Sequence, residues 1–376
     1  MMYNGEVANS YNLGAINTTR RPQGGNKTSV NMGGVVGDTT EESNAKAIIY
    51  NVYNKGQIGD ETYNFYARHV GGVVGRLSGT VDKAYNTGAI YNGYSVVGGI
   101  AGWFYEGTIS NSFNTGNITV LNKETAEKAG SQVGGIAGGM SAYGNNGTNF
   151  IYNAYNLGTL RSFNTGNLNN PNSVGGIVGK LVGGGGADTN VSIRNVYTTS
   201  NIYSGTDGEN AIKDSGAGSI YGDDGGIGGY LNLAGANYIE LGNSVFNNLE
   251  KTNANVKKIN YNDRYNSTAY NFVELNTGDK IWADVNGANV SEDGYWRIYK
   301  NGDGTGTTPI LNAFLPNAED YFSGETDAEN PMEGISSIQY GTAYDPLLTI
   351  IKANEDLTFD WGALGIQNDG GLAVYN

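Results

Sequence analysis

Three carboxylates, one histidine and one run of aromatics are the residues of this chain whose types could do chemistry. Asp38, Asp82 and Glu106 lie nearest a repeating frame. Two carboxylates brought together on one stacked face would suit general acid and base catalysis on a polysaccharide. Their places in the repeat differ, however. Asp82 takes the position that Ser110 holds in the next copy, Glu106 falls in a corner, and Asp38 follows a glycine-rich strand, so solvated surface carboxylates are the competing reading. His69 is the only histidine, and any Ser-His-acid triad would have to use it beside Val70, where a strand-flanking residue needs no catalytic role. Asn301-Gly-Asp303-Gly-Thr305-Gly alternates oxygen donors as calcium loops do but lacks the closing bidentate glutamate. Turn chemistry calls for the same residues, and Asp223-Asp224 reads the same way. No catalytic, metal-ligating or cofactor-binding residue is assigned. Trp103, Phe104 and Tyr105 are the candidate ligand-binding residues, because exposed aromatic faces stack on sugar rings or protein partners. Packing beneath an insert at 121–132 is the alternative for the same three rings.

These residues are spaced by a repeat. Residues 97–118, VGGIAGWFYEGTISNSFNTGNI, contain a glycine pair with a short apolar step, then a turn and strand with an aromatic before Asn-x-Gly. The first half recurs at 32–37, 70–75, 133–138 and 174–179, and more weakly at 225–229. The aromatics Tyr11, Tyr53, Tyr85, Phe113, Tyr155 and Tyr197 follow one another at intervals of 42, 32, 28, 42 and 42 residues. A fixed frame with inserts of variable length describes a solenoid whose loops leave at set corners.

Residue types name the solenoid. Ile109, Asn111 and Phe113 share one parity and Ser110, Ser112 and Asn114 the other, which is the period of a strand. A glycine two places after an asparagine marks a tight turn, where glycine accepts the positive φ that other residues resist. Stacked copies can lay Ile on Ile and Tyr on Phe, and their asparagines can pair into ladders. The expected fold is all-β, a right-handed parallel β-helix with loop inserts and a C-terminal β cap. Its core is assigned to Tyr85, Ile100, Ile109, Phe113, Asn114, Ile136, Tyr155 and Ile177.

The VGGIAG step with its GTI-x-N-S/A-Y/F-N-x-G strand resembles the GLUG repeat of bacterial surface proteins. That repeat occurs in large secreted adhesins similar to filamentous haemagglutinin and in surface-anchored immunoglobulin A metallopeptidases. A single histidine rules out the His-Glu-x-x-His motif of the latter. The resemblance covers residues 1–250 and implies a stalk or scaffold at the cell surface. Residues 251–317, with the strand around Trp296 and the Thr-Thr-Pro-Ile-Leu that follows, are similar to segments that close such arrays over the last coil. Residues 318–376 read as an acidic linker and the start of a further β-helical segment.

Composition narrows the partners. The net charge is -14 and charged residues are 15 percent, which disfavours nucleic acid and anionic membranes. No apolar run approaches the ~20 residues of a bilayer span, so direct membrane insertion is not expected. There is no cysteine, as suits export without locked loops. Glycine accounts for 60 residues, yet at fixed places beside Ile, Val and Tyr, which argues for order. Seven Asn-x-Ser/Thr sites permit glycosylation. A short helix capped by Asn122 and ended by Gly130 is expected within the insert there.

Together these readings give a secreted or cell-surface, non-catalytic adhesive shaft whose partner is a glycan or protein receptor, in a monomeric fragment of a larger chain. A β-helix that binds or cleaves polysaccharide is the alternative, and a pure spacer is a third.

Overall fold

The computed structural model describes residues 2, 5–17, 30–39, 46–62, 67–93, 95–122, 130–141, 148–164, 172–182, 190–199, 201–205, 217–223, 231–239, 255–286, 289–291, 293–298 and 307–314. Each coil carries four short extended stretches. A glycine-pair strand such as Val96–Gly98 leads into a strand beginning at Ala101, the aromatic strand follows, and Asn-x-Gly turns the chain into a last strand such as Ile118–Asn122. Every stretch pairs in parallel with its counterpart one coil on, giving sheets of 13, 6 and 4 strands. The main path of the largest sheet runs Glu6–Asn12, Ala47–Asn54, Val74–Asn86, Ala101–Asn114, Thr148–Asn156, Asn190–Thr198, Ala236–Ile239, Val256–Ile259. The described chain is therefore an all-β parallel β-helix.

The register is set by what lies inside. Ile49, Val81, Ile109, Ile151 and Ile193 stack one upon another and are fully buried. Ile100, Ile136 and Ile177 join the same cluster from the opposite wall. A second interior lobe holds Val70, Val97, Val133 and Val174 against Ile90, Ile118 and Leu160. Between the lobes the coil narrows to a waist. There the ladder asparagine of the aromatic strand lies on the second glycine of the pair. A Cβ on Gly99 would stand 2.4 Å from Asn114 Cγ and 2.1 Å from the Gly135 carbonyl, and Gly72 and Gly135 meet Asn86 and Asn156 in the same way.

The expected asparagine ladder is present. Asn12, Asn54, Asn86 and Asn114 each donate Nδ2 to Oδ1 of the asparagine one coil on, all at 2.7 Å, ending on Asn156. The same Nδ2 also donates to the carbonyl two residues ahead, as from Asn114 to Gly116 at 2.9 Å. The turn glycine has a different cause from the one expected. Gly56, Gly88 and Gly116 are not in the positive-φ region. They are glycines because a Cβ would lie 2.0 to 2.2 Å from the carbonyl oxygen of the coil before.

The simple alternation also fails at one place. Asn111 has φ of 44°, and Asn9, Asn51, Lys83, Asn153 and Asn195 are left-handed at the same step. Asparagine tolerates that conformation better than most residues. The reversal sends Ser112 into the interior with Ala84 and Ala154, and sends Phe113 outward. Tyr85, Phe113 and Tyr155 do stack face to face, with centroids 4.9 Å apart on both sides of Phe113, but in a cluster separate from the coil interior.

The described residues of 264–298 and 307–314 cover that cluster as a strap along the flank. Tyr270 and Trp296 pack on Tyr197, Trp296 also on Tyr155, and Phe314 stands edge-on to Phe113 and Tyr85. Val273 exchanges two hydrogen bonds with the left-handed Asn195, at 2.7 and 2.8 Å. Tyr197 donates its hydroxyl to the Pro309 carbonyl at 2.7 Å. The segment expected to close the last coil thus lies beside several coils, because it is the aromatic ladder that needs cover. The last coil instead receives strand Val256–Ile259, beyond the boundary expected at residue 250.

The Gly- and Asn-rich stretches at 139–149 and 180–190 read in sequence as loop inserts, yet Gly139–Ser141 and Lys180–Val182 still belong to strands Ala137–Ser141 and Val178–Val182. Asn122 ends strand Ile118–Asn122. The helix expected after it, the Asn301 to Thr305 loop and the segment 318–376 lie outside the described residues.

Phe113→Ala should cost about 3–5 kcal/mol, and Gly116→Ala about 1–3 kcal/mol or more by overpacking. Ser110→Ala, which loses one half-exposed hydrogen bond, should cost about 1 kcal/mol or less. Urea unfolding checks all three, and equal losses at 110 and 113 would contradict the burial of the Phe113 ring in the flank cluster.

Candidate recognition site

The three expected recognition residues part company in the structure. They lie in the unbroken strand Ala101–Asn114 rather than in a corner, so alternation decides their directions. Phe104 points inward, fully buried between Leu77 and Met140 of the adjacent coils. It is a core residue and can stack on no ligand. Trp103 and Tyr105 point outward and are half-buried.

Trp103 lies in register between Arg76 and Gly139. Its indole rests over Gly139, where an added Cβ would come within 2.6 Å of Cε3 and Cζ3. On its other side the His69 ring is 5.5 Å away and tilted by 30°. Tyr105 occupies an irregularity, since pairing steps from Leu77 with Phe104 to Ser78 with Glu106 and leaves Tyr105 as the extra residue. Asn149 braces this bulge by donating to the Tyr105 carbonyl at 2.9 Å while accepting from Gly107 N at 2.8 Å. The Arg76 guanidinium lies 5.6 Å from the Tyr105 ring. Such a cation over an aromatic is worth roughly 0.5–1 kcal/mol at an exposed site.

His69 closes the inner edge of the patch. Its Nδ1–H donates to Asn31 Oδ1 at 2.8 Å, and Asn31 donates Nδ2 to Asp38 Oδ2 at 2.6 Å. This fixes one neutral tautomer. Burial, reinforced by the charges of Arg68 and Arg76, holds the imidazole down to about 3. A histidine so placed is a neutral structural donor and a poor general base near neutrality.

The other candidate acids are engaged separately. Glu106 accepts from Ser78 Oγ at 2.9 Å and pairs with Lys46. Asp82 Oδ1 accepts from Ser110 Oγ at 2.7 Å and from Asn111 Nδ2 at 2.8 Å. Asp223 pairs with Lys180 at 2.9 Å. Among the described residues no group of three His, Cys, Asp or Glu side chains could hold a metal ion. Among them, too, no helix is long and apolar enough to cross a membrane.

Sequence reasoning missed Asn31 and Asn149, whose contacts with His69 and Gly107 span 38 and 42 residues. It also missed a row of outward residues on the aromatic strands, Tyr50, Asp82, Ser110 and Tyr152. The alignment of Asp82 with Ser110 was the available signal, and carrying it one coil each way reaches both tyrosines. No protein-family model matches this chain, and no curated protein or solved structure is similar to it.

The histidine gives a pH test. Its folded pKa lies below the ordinary value near 6.5, so the unfolded chain takes up a proton first. Its contribution to stability is complete above that value and is lost as pH falls toward about 3. Between pH ~6.5 and ~5, before carboxylates titrate, unfolding free energy should fall by up to about 1.4 kcal/mol per pH unit. His69→Gln should flatten this slope, and an unchanged slope would contradict the neutral, buried imidazole.

Proposed function

We propose that this chain is the structural and adhesive shaft of a secreted or cell-surface bacterial protein, attaching to a surface glycan or protein receptor without catalysis of its own. The observation that carries the reading is where the coils vary. Inward positions keep their character from coil to coil: Ile49 to Ile193 are Ile or Val, the flank ladder is aromatic from Tyr11 to Tyr197, and the waist is asparagine from Asn12 to Asn156, with Thr198 next. Outward positions do not, and one row in register reads Asp38, Arg76, Trp103, Gly139, Lys180, Asp223. A frame held constant beneath a freely varied surface suits a rigid rod that presents binding groups. The resemblance of the repeat to the GLUG repeats of haemagglutinin-like adhesins supports the same reading. The separate engagement of Asp38, Asp82 and Glu106 supports a role without catalysis. A net charge of -14 favours receptors that are not polyanions.

Beads coated with the folded chain should attach to cultured host cells or to bacterial cells above the level of beads coated with an inert acidic protein. A Trp103→Ala, Tyr105→Ala variant should lower the melting temperature, since Trp103 is seated on Gly139 and His69. Attachment no greater than the control on every surface would defeat the adhesive part of the reading.

A further inference from the structure

The outer face of the aromatic strands carries a second arrangement, away from Trp103. Two outward rows run along the axis in register. One reads Ile48, Thr80, Thr108, Phe150 and the other Tyr50, Asp82, Ser110, Tyr152. Over these four coils each row has an apolar or aromatic side chain at either end and polar ones between, and the registers continue to Glu6 and Ala8 on one side and to Ser192 and Arg194 on the other. Ile48 and Tyr50 are 46% and 37% exposed, among the most exposed large apolar residues described. At the far end the Phe150 and Tyr152 rings lie 5.1 Å apart. Three coil steps, about 14 Å at ~4.8 Å per strand, separate the two platforms. Between them, one coil from Tyr50, the half-buried Asp82 accepts from Ser110 Oγ and Asn111 Nδ2, both on Oδ1. The face ends at Arg194, one coil beyond Tyr152, whose guanidinium is tied to the Glu274 carbonyl of the strap at 2.8 Å.

We infer that this strip is a binding site for a neutral oligosaccharide lying along the solenoid axis, with sugar faces on Tyr50 and Tyr152 and sugar hydroxyls donating to Asp82. The inference rests on the adhesive reading and names the ligand class. Charge and chemistry select the occupant. A carboxylate at the centre, in a chain of net charge -14, opposes a polyanionic glycan. A protein partner needs a desolvated apolar centre, and here the centre is Thr80, Asp82, Thr108 and Ser110. A neutral sugar chain has apolar ring faces to stack on aromatics and hydroxyls for a carboxylate. Its length matches platforms that are separated along one axis.

The test is calorimetric titration of the full chain with cellohexaose, xylohexaose, mannohexaose and chitohexaose, with a heparin hexasaccharide as the anionic probe. At least one neutral probe should bind. Tyr50→Ala and Tyr152→Ala should each weaken it by about tenfold, and Asp82→Asn by severalfold, while Trp103→Ala leaves it unchanged. Tyr50→Ala alters an exposed ring, so it decides the matter should Tyr152→Ala fail to fold. Binding of no neutral probe, binding of heparin alone, or affinity untouched by Tyr50→Ala would overturn the inference. Sugar binding by a chain whose beads attach to no cell would uphold the strip and reject the adhesive shaft.

Discussion

The fold depends on a single close approach inside each coil. At the waist an asparagine lies on a glycine that has no room for a side chain, and the two come from opposite halves of the repeat. The asparagine must also spend its amide in two directions, to its own turn and to the next coil. Both demands are met only when successive coils are in register. A buried amide left without partners would cost a few kcal/mol, so a slip of one coil is penalised at every rung at once. Gly-Gly and Asn-x-Gly therefore recur together because they touch, although they are separated in the chain.

From the waist the rest follows outward. Fixing the asparagine fixes the aromatic before it, and the left-handed residue two places earlier than that aromatic turns its ring away from the interior. The coils thereby create a column of rings that the solenoid itself cannot bury. The strap answers that exposure, using rings of its own set edge-on or tilted to the column and a pair of hydrogen bonds to Asn195. Burial of Tyr197 raises its hydroxyl well above the ordinary value, as expected for a group that serves only as a donor to Pro309 and a neighbour of Thr308. Earlier in the same strands, before the left-handed step, positions such as Asp82 and Ser110 also point outward, and there the sequence varies.

Much of this was legible in the sequence. The spacing of Tyr11 to Tyr197 located six coils, though not those of strands Ala236–Ile239 and Val256–Ile259, and the parity of Ile109 found the interior. Three things were not legible, each for a physical reason. The left-handed turn at Asn111 has no signature beyond an asparagine in a chain full of them, so Phe113 was assigned to the wrong side of the strand. The turn glycines looked like positive-φ residues because that is the usual local cause, whereas their cause is the coil before, a contact 28 to 42 residues away. Trp103, Phe104 and Tyr105 looked like one cluster because adjacency in sequence hides alternation. Phe104 fills the rung that Leu77 and Met140 fill elsewhere, and only its size set it apart. The strap's position could not be read at all, since nothing local in its sequence says which face of which coils its described residues cover.

Parallel stacking in a fixed register is the claim on which everything else rests, and a chain without cysteine allows it to be tested directly. Thr80 and Thr108 are register partners on adjacent coils, and Phe150 lies one coil further on. A disulfide needs Cα atoms within about 7 Å, which one strand spacing satisfies and two, about 10 Å, do not. Mild oxidation followed by peptide mass spectrometry should show an intramolecular disulfide in the Thr80→Cys, Thr108→Cys variant and none in the Thr80→Cys, Phe150→Cys variant. A disulfide in the second variant but not the first would contradict the register and the parallel β-helix built on it.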